Sequence, residues 1–271
     1  MTLDHPDDRV VPATNPVLDL RVTLEDGIGL LELRRPPANH FDEVLIGRIV
    51  DAARELDDDA GCRALVLASE GKHFCAGADF REGGAFAADR VSAAGRLYRR
   101  ALELFEIQTP IIAAVQGAAV GGGLGLACAA DFRVADKDTR FAANFARLGF
   151  HQGFGLSVTL PDLVGRQAAA DMLLTGRRID GVEALRIGLA DRLAEPGRQR
   201  ETAFAWAHEI AAAAPLAVRS IRATLRAGLA ERVREALDRE LAEQERLWQT
   251  RDSAEGIAAS LERRTPVFRG E

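Results

Sequence analysis

Four glycines fall within five positions, Gly121, Gly122, Gly123 and Gly125, in the stretch GGGLGLACAADFRVA (121–135). Residues without a side chain let a backbone come close to a ligand. A helix beginning near Gly122 presents free N–H groups and the positive end of its dipole. A carbonyl oxygen laid against such amides is held as an oxyanion hole holds it. A second glycine-flanked turn, FCAGADF (74–80), offers an opposing amide from Ala78. Glycines also let a helix pack tightly on a sheet, so either turn alone fits both roles.

Several other chemistries drop out. A dinucleotide fingerprint GxGxxG fails because its third glycine falls on Leu126 or, in the shifted frame, on Cys128. No acidic residue follows on a strand end at the required distance of about 20. The chain has no GxxxxGK[ST] and no HExxH, and GLSVT (155–159) is not a nucleophile elbow. The three cysteines, Cys62, Cys75 and Cys128, stand singly, so neither a zinc site nor a disulfide framework follows and the expected setting is a reducing cytoplasm.

The elements that must position these turns are legible from the pattern of the chain. At 271 residues, one large domain or a domain with a helical appendage is expected. A net charge of −6, with C-terminal arginines alternating with acids, excludes a nucleic-acid partner. The polar, acidic start lacks a signal peptide, and no apolar run nears the roughly 20 residues of a membrane span. Residues 1–17 read as a loose leader. LDLRVTLEDGIGLLELRR reads as two strands about a Glu-Asp-Gly turn, and DEVLIGRIVDAARELDDD as a helix with Val44, Leu45, Ile49, Ala52 and Leu56 on one face. CRALVLASEG and PIIAAVQG are buried parallel strands, each followed by a glycine-rich turn and a helix; DFRVA is a further strand. Segment 156–190 is mainly helical, with Asp180 capping a helix. Beyond Glu195-Pro196-Gly197 the chain is helix after helix, giving a core over 18–197 and a helical region over 198–271.

In order along the chain stand RRPPANHFD, FCAGADF, PIIAAVQGAAVGGGLGLACAADFRVA, FAANFARLGF, LTGRRIDGVEALRIGLAD and AEGIAASLERRTPVFRG. Together they resemble the crotonase, or enoyl-CoA hydratase/isomerase, superfamily. The resemblance implies an α/β fold, a four-turn ββα spiral core with a C-terminal helical trimerisation region, assembled as a homotrimer or a dimer of trimers. It implies an acyl-CoA substrate, with coenzyme A entering only as part of the thioester and no permanently bound cofactor or metal. The thioester oxygen would lie between the amides of Ala78 and Gly122. The coenzyme would be bound by Ala76, Asp79, Phe80, Ala38 and His40, with Phe268 from the tail. The acyl pocket would be formed by Gly125, Asn144, Phe145 and Phe154.

The resemblance also marks what is missing. Where hydratases carry their two glutamates, this chain has Gly125 and Phe145; a further family aspartate position is Gly153. Hydration needs a water activated and a proton delivered, and each general acid–base group contributes roughly 10²–10⁴-fold. Two-glutamate hydration is therefore not expected. An oxyanion hole alone still supports reactions that build an enolate, such as decarboxylation of a malonyl-type thioester. His151, in GFHQGFG, is the candidate replacement base, since imidazole titrates near neutral pH; a hydrogen-bonded turn histidine is its other reading. Three functions stay open: an acyl-CoA enzyme working through an enolate, a coenzyme-independent carbon–carbon bond hydrolase using His151, and a silent acyl-CoA binder.

Overall fold

The computed structural model describes residues 19–81, 86 and 89–271; the leader at 1–17 lies outside them. Strands β1 (Leu20–Glu25) and β2 (Ile28–Leu33) form an antiparallel hairpin. Its two turn residues, Asp26 and Gly27, both have positive φ (50° and 78°), the primed turn that suits strand twist. Four strands then add in parallel: β3 (Ala64–Ser69), β4 (Ile111–Ala114), β6 (Phe132–Ala135) and β9 (Arg192–Leu193), giving the order β1-β2-β3-β4-β6-β9. Registers Leu31↔Leu67 and Leu67↔Ala113 align their buried apolar runs.

Both faces of this sheet are covered at its centre, which is why β3 and β4 read as continuous apolar runs rather than alternating, as the edge strand β1 (LRVTLE) does. Leu31, Leu33, Leu65, Leu67 and Ala113 point to one core, shared with Leu45, Ile49, Ala53 and Leu56 of α1 (Glu43–Asp58). The alternate residues Ile28, Leu30, Val66, Ile112 and Val134 point to the other, closed by Ala203, Ala207 and Ala211 of α6 (Gln199–Ala211). The helical region after 197 therefore begins by covering the main sheet. Asp42 caps α1 by accepting from the Leu45 N–H (2.8 Å), and Asp180 caps α5 (Gly181–Ile187) through the Glu183 N–H.

A second, smaller layer contains β5 (Ala118–Val120), β7 (Arg140–Ala142) and β8 (Arg178–Asp180). Single bridges extend it, Cys75 pairing with Ala119 and Phe41 with Ala78. Each chain turn thus contributes a long strand to the large sheet, a short extended piece to the second layer, and then a helix. The helices after the second and third turns are α2 (Arg90–Leu102) and α3 (Gly122–Ala129). Helix α4 (Leu156–Thr175) follows β7, and α7 (Pro215–Leu225), α8 (Leu229–Leu247) and α9 (Arg251–Glu262) complete the chain. Helix α8 packs against α2 and α4, and α9 against the turn Asn144–Leu148. Among the described residues no helix is long and apolar enough to cross a membrane.

Candidate functional site

The second layer brings the two glycine turns together. Phe41 N–H donates to the Gly77 carbonyl and Ala76 N–H to Ala38, so the extended piece 75–78 uses one edge on the 38–41 segment. Its other edge exchanges bonds with β5, through Cys75 N–H to Ala118 O and Val120 N–H to Cys75 O. Two turns with positive φ then end the two pieces, at Gly77 (80°) and Gly121 (57°). A Cβ on Gly77 would stand 2.9 Å from Val120 O and 3.2 Å from Gly122 N, so only glycine admits this approach. Gly122 is the first residue of α3, and neither its N–H nor that of Ala78 has an acceptor among the described residues. Both residues line one cavity of about 710 Å³.

Asn39 fixes the loop beside these amides. Fully buried with φ 50°, it accepts from the Arg35 N–H and donates to the carbonyls of Glu70 (2.8 Å) and His73 (2.6 Å). His40 follows, with its Nδ1–H on the Gly77 carbonyl at 3.1 Å. Asp79, at the cavity rim, is held by Arg81, whose guanidinium brings the carboxyl down to about 2. Lys72, Arg81, Arg140 and Arg178 are exposed cations around the cavity.

The inner wall is aromatic. Phe41 meets Phe154 at 5.5 Å between ring centres, Phe145 meets Phe150 at 6.0 Å, and Phe150 meets both Phe80 and Trp248. Two of the three places marked by the missing carboxylates are physically filled, and the third holds the lining residue Phe145. A Cβ at Gly125 would stand 2.5 Å from Phe154 Cβ, and one at Gly153 would stand 1.8 Å from the Tyr98 hydroxyl oxygen. Phe154 itself has φ 62°, a conformation rare outside glycine and found where surrounding packing over-determines the backbone. The Tyr98 hydroxyl donates to Gln244 Oε1 at 2.9 Å, and Gln244 Nε2 donates to the His151 carbonyl at 3.0 Å. Burial pushes the phenol well above its usual range.

Of the residues expected at the site, Ala78, Gly122, His40, Ala76, Asp79, Phe80, Asn144, Phe145 and Phe154 line the cavity together. Gly125 lies one helical turn behind it, packed on Phe154, and Ala38 contributes a carbonyl to the 76 segment. His151 is not brought to the cavity lining: its Nδ1–H turns to the Gln152 carbonyl at 2.9 Å, and the ring neighbours Glu243. Phe268 is exposed on a tail that folds back to α9, where Arg269 and Gly270 N–H groups donate to Asp252. The sequence reading passed over Tyr98, Gln244 and Trp248, all lining residues. A signal for the first two was present. Tyr98 sits at helical spacing with Ala94, Leu97 and Ala101, and Gln244 with Val233, Leu237 and Glu240, so each is a polar residue on a buried stripe.

A parallel sheet wound in four turns, with two free amides where the second turn meets the third, defines the crotonase-type class of α/β spiral proteins. The chain belongs to the enoyl-CoA hydratase/isomerase family, whose model matches residues 23–271. A Thermus thermophilus relative provisionally named an enoyl-CoA hydratase is 39% identical over 235 residues, covering 81% of this chain and 88% of its own length. Among solved structures, an enoyl-CoA hydratase/isomerase from Pseudoalteromonas atlantica superposes with TM-score 0.83 at 29% identity, covering 93% of this chain and all of that one. An enoyl-CoA hydratase from Mycobacterium avium subsp. paratuberculosis gives 0.82 at 27%, covering 94% of this chain and all of its own.

Proposed function

We propose that this protein binds an acyl-CoA with its thioester oxygen between the Ala78 and Gly122 amides and acts through the thioester enolate, by chemistry other than two-carboxylate hydration. The observation that carries the reading is the pair of amides without acceptors among the described residues, beside an aromatic wall in which the carboxylate places at residues 125 and 153 are closed and residue 145 is phenylalanine. Amides aimed at a developing oxyanion supply transition-state stabilisation without a titrating group. Loss of carbon dioxide from a malonyl-type thioester fits this equipment best, because breaking the carbon–carbon bond itself generates the enolate and no base is needed. Phe41, Phe145 and Phe154 suit an apolar remainder of the acyl group. Ala76, Asp79, Phe80 and His40 would hold the coenzyme, and the rim cations would meet its phosphates. Ala38 would act through its carbonyl, holding the 76 segment; Phe268 would reach the coenzyme only if the tail left α9.

Assembly as a trimer or dimer of trimers belongs to the same proposal; α7 leaves Leu216, Ile221 and Leu225 exposed, a face that association would cover. A second reading, an acyl-CoA binder without turnover, is favoured by the way Phe154 fills the place beside Gly125. The test is to titrate the protein with a panel of acyl-CoAs by calorimetry, including malonyl-type and crotonyl thioesters, and to look for products by mass spectrometry. Binding with loss of carbon dioxide supports the first reading. Binding without any product supports the second, hydration of crotonyl-CoA at an ordinary rate refutes the chemistry, and no binding of any thioester removes both.

A further inference from the structure

We propose that the Tyr98 hydroxyl is the proton donor of this cavity, giving its proton to the α-carbon of the thioester enolate. The inference rests on the enolate reading above. It starts from an inventory of dissociable protons. Among the described lining residues, Tyr98 is the one side chain of the aromatic inner wall with an acidic hydroxyl; Asn144 and Gln244 are amides, and Asp138 and Ser260 are exposed. His40 is engaged with Gly77 at the second-layer segment, and Asp79 is an ionised carboxylate locked to Arg81. His73 has its Nδ1 enclosed beside Gly117, and the remaining cations lie at the exposed rim.

The hydroxyl is also placed by more structure than a packing tyrosine needs. This is the single tyrosine of the chain. Gln244, 1% exposed, has its amide orientation fixed because Nε2 is committed to the His151 carbonyl, so Oε1 faces the phenol. The Phe154 N–H lies close to the phenol oxygen. That N–H is set by a residue at φ 62°, and the space for the oxygen exists only because residue 153 is glycine. Phe154 also packs on Gly125, one turn along α3 from the Gly122 amide, which ties the hydroxyl to the oxyanion site through a single residue.

The proton and electron balance is simple. As the bond from the α-carbon to the departing carboxylate breaks, its electron pair moves into the enolate and carbon dioxide leaves. The phenol O–H, rotated away from Gln244, then transfers its proton and a carbon–hydrogen bond forms. The phenolate left behind takes a proton from water once the product departs. Burial that disfavours the phenolate helps here, since it returns the group to its neutral, proton-bearing form before the next turnover.

The test uses methylmalonyl-CoA in deuterium oxide with the full chain and with Tyr98→Phe, reading the rate and the configuration of deuterium in the product. Wild type is expected to release carbon dioxide and give one configuration. Tyr98→Phe is expected to bind the thioester with unchanged affinity, to lose about 10²–10³-fold in kcat, and to give both configurations as solvent protonates the enolate. A variant that keeps a single configuration and the wild-type kcat overturns the assignment, as does one whose loss lies wholly in thioester affinity. Wild type that binds but releases no carbon dioxide overturns the enolate reading itself and the assignment with it.

Discussion

Gly153 and the Tyr98 hydroxyl should behave as one unit in stability. A methyl group at residue 153 would begin 1.8 Å from the phenol oxygen and 2.7 Å from both Tyr98 Cζ and Gln244 Nε2. Tyr98 must then swing away and lose its bond to Gln244. Overpacking costs about 1–3 kcal/mol and the broken hydrogen bond about 1, so Gly153→Ala is expected to destabilise by about 2–4 kcal/mol. Tyr98→Phe alone removes the same bond and leaves Gln244 Oε1 unpaired, at a cost of about 1–3 kcal/mol. In the double variant the alanine methyl enters the space the oxygen vacated, although Cζ must still shift slightly. The double loss should therefore fall short of the sum by about 1–2 kcal/mol. Urea unfolding of the four proteins, followed by circular dichroism at fixed protein concentration, completes the cycle. Losses that add to within about 0.5 kcal/mol would refute the steric argument and the placement of the hydroxyl with it.

Three further outcomes follow from buried charge and buried sulfur. Asp131 accepts from the Ile111 N–H and pairs with Arg222 (2.9 Å) and Arg226 (3.1 Å), so Asp131→Ala strands two largely buried guanidinium groups; a loss of about 3–5 kcal/mol is expected in urea, and one below about 1 would contradict the ion cluster. Burial raises Glu240 from 4.5 to about 7 despite the N–H donors of Gly155 and Ser157, so the folded state holds a proton that the unfolded state has released. Its contribution is full below about 4.5 and is lost as pH rises through about 7, a change worth on the order of 3 kcal/mol. Glu240→Gln should flatten that part of the curve, and an unchanged slope between pH 5 and 8 would reject the assignment. Cys62, Cys75 and Cys128 are all buried, and burial lifts their thiols to about 11, 12 and 12. Ellman's reagent should find no reactive thiol in the folded protein and all three after denaturation.

What could be read in the chain was set by pattern length. The long apolar runs of β3 and β4 and the periodic face of α1 announce themselves, and Asp180 is visible as a cap because helix entry needs a side-chain acceptor there. The ion cluster of Asp131 was not legible, because its two arginine partners lie 91 and 95 positions later in the chain. The three-residue strands β5, β7 and β8 were not legible, because three residues carry no period and their pairing is decided by contacts distant in sequence. The site divided along the same line. Its amides belong to glycine turns that any reading meets, whereas Tyr98 and Gln244 are 146 positions apart and acquire meaning only when α8 packs across α2.

The absence of a carboxylate at residues 125 and 153 is a property of the packing as much as of residue type. Phe154 occupies the place a side chain on residue 125 would take, and Tyr98 the place of one on residue 153. Phe154 reaches its position through a left-handed backbone that Gly155, at φ 73°, continues. The main-chain amides of Gly155 and Ser157 are in turn held by Glu240, and the loop carbonyl of His151 by Gln244, both from the buried face of α8. Introducing a glutamate at residue 125 would drive it into Phe154, and moving Phe154 would disturb the adjoining residue 153, against which the phenol oxygen packs. The aromatic wall, the phenol and the α8 contacts therefore form one mechanical unit, and a carboxylate at residue 125 or 153 would require changing several of its members together rather than that residue alone.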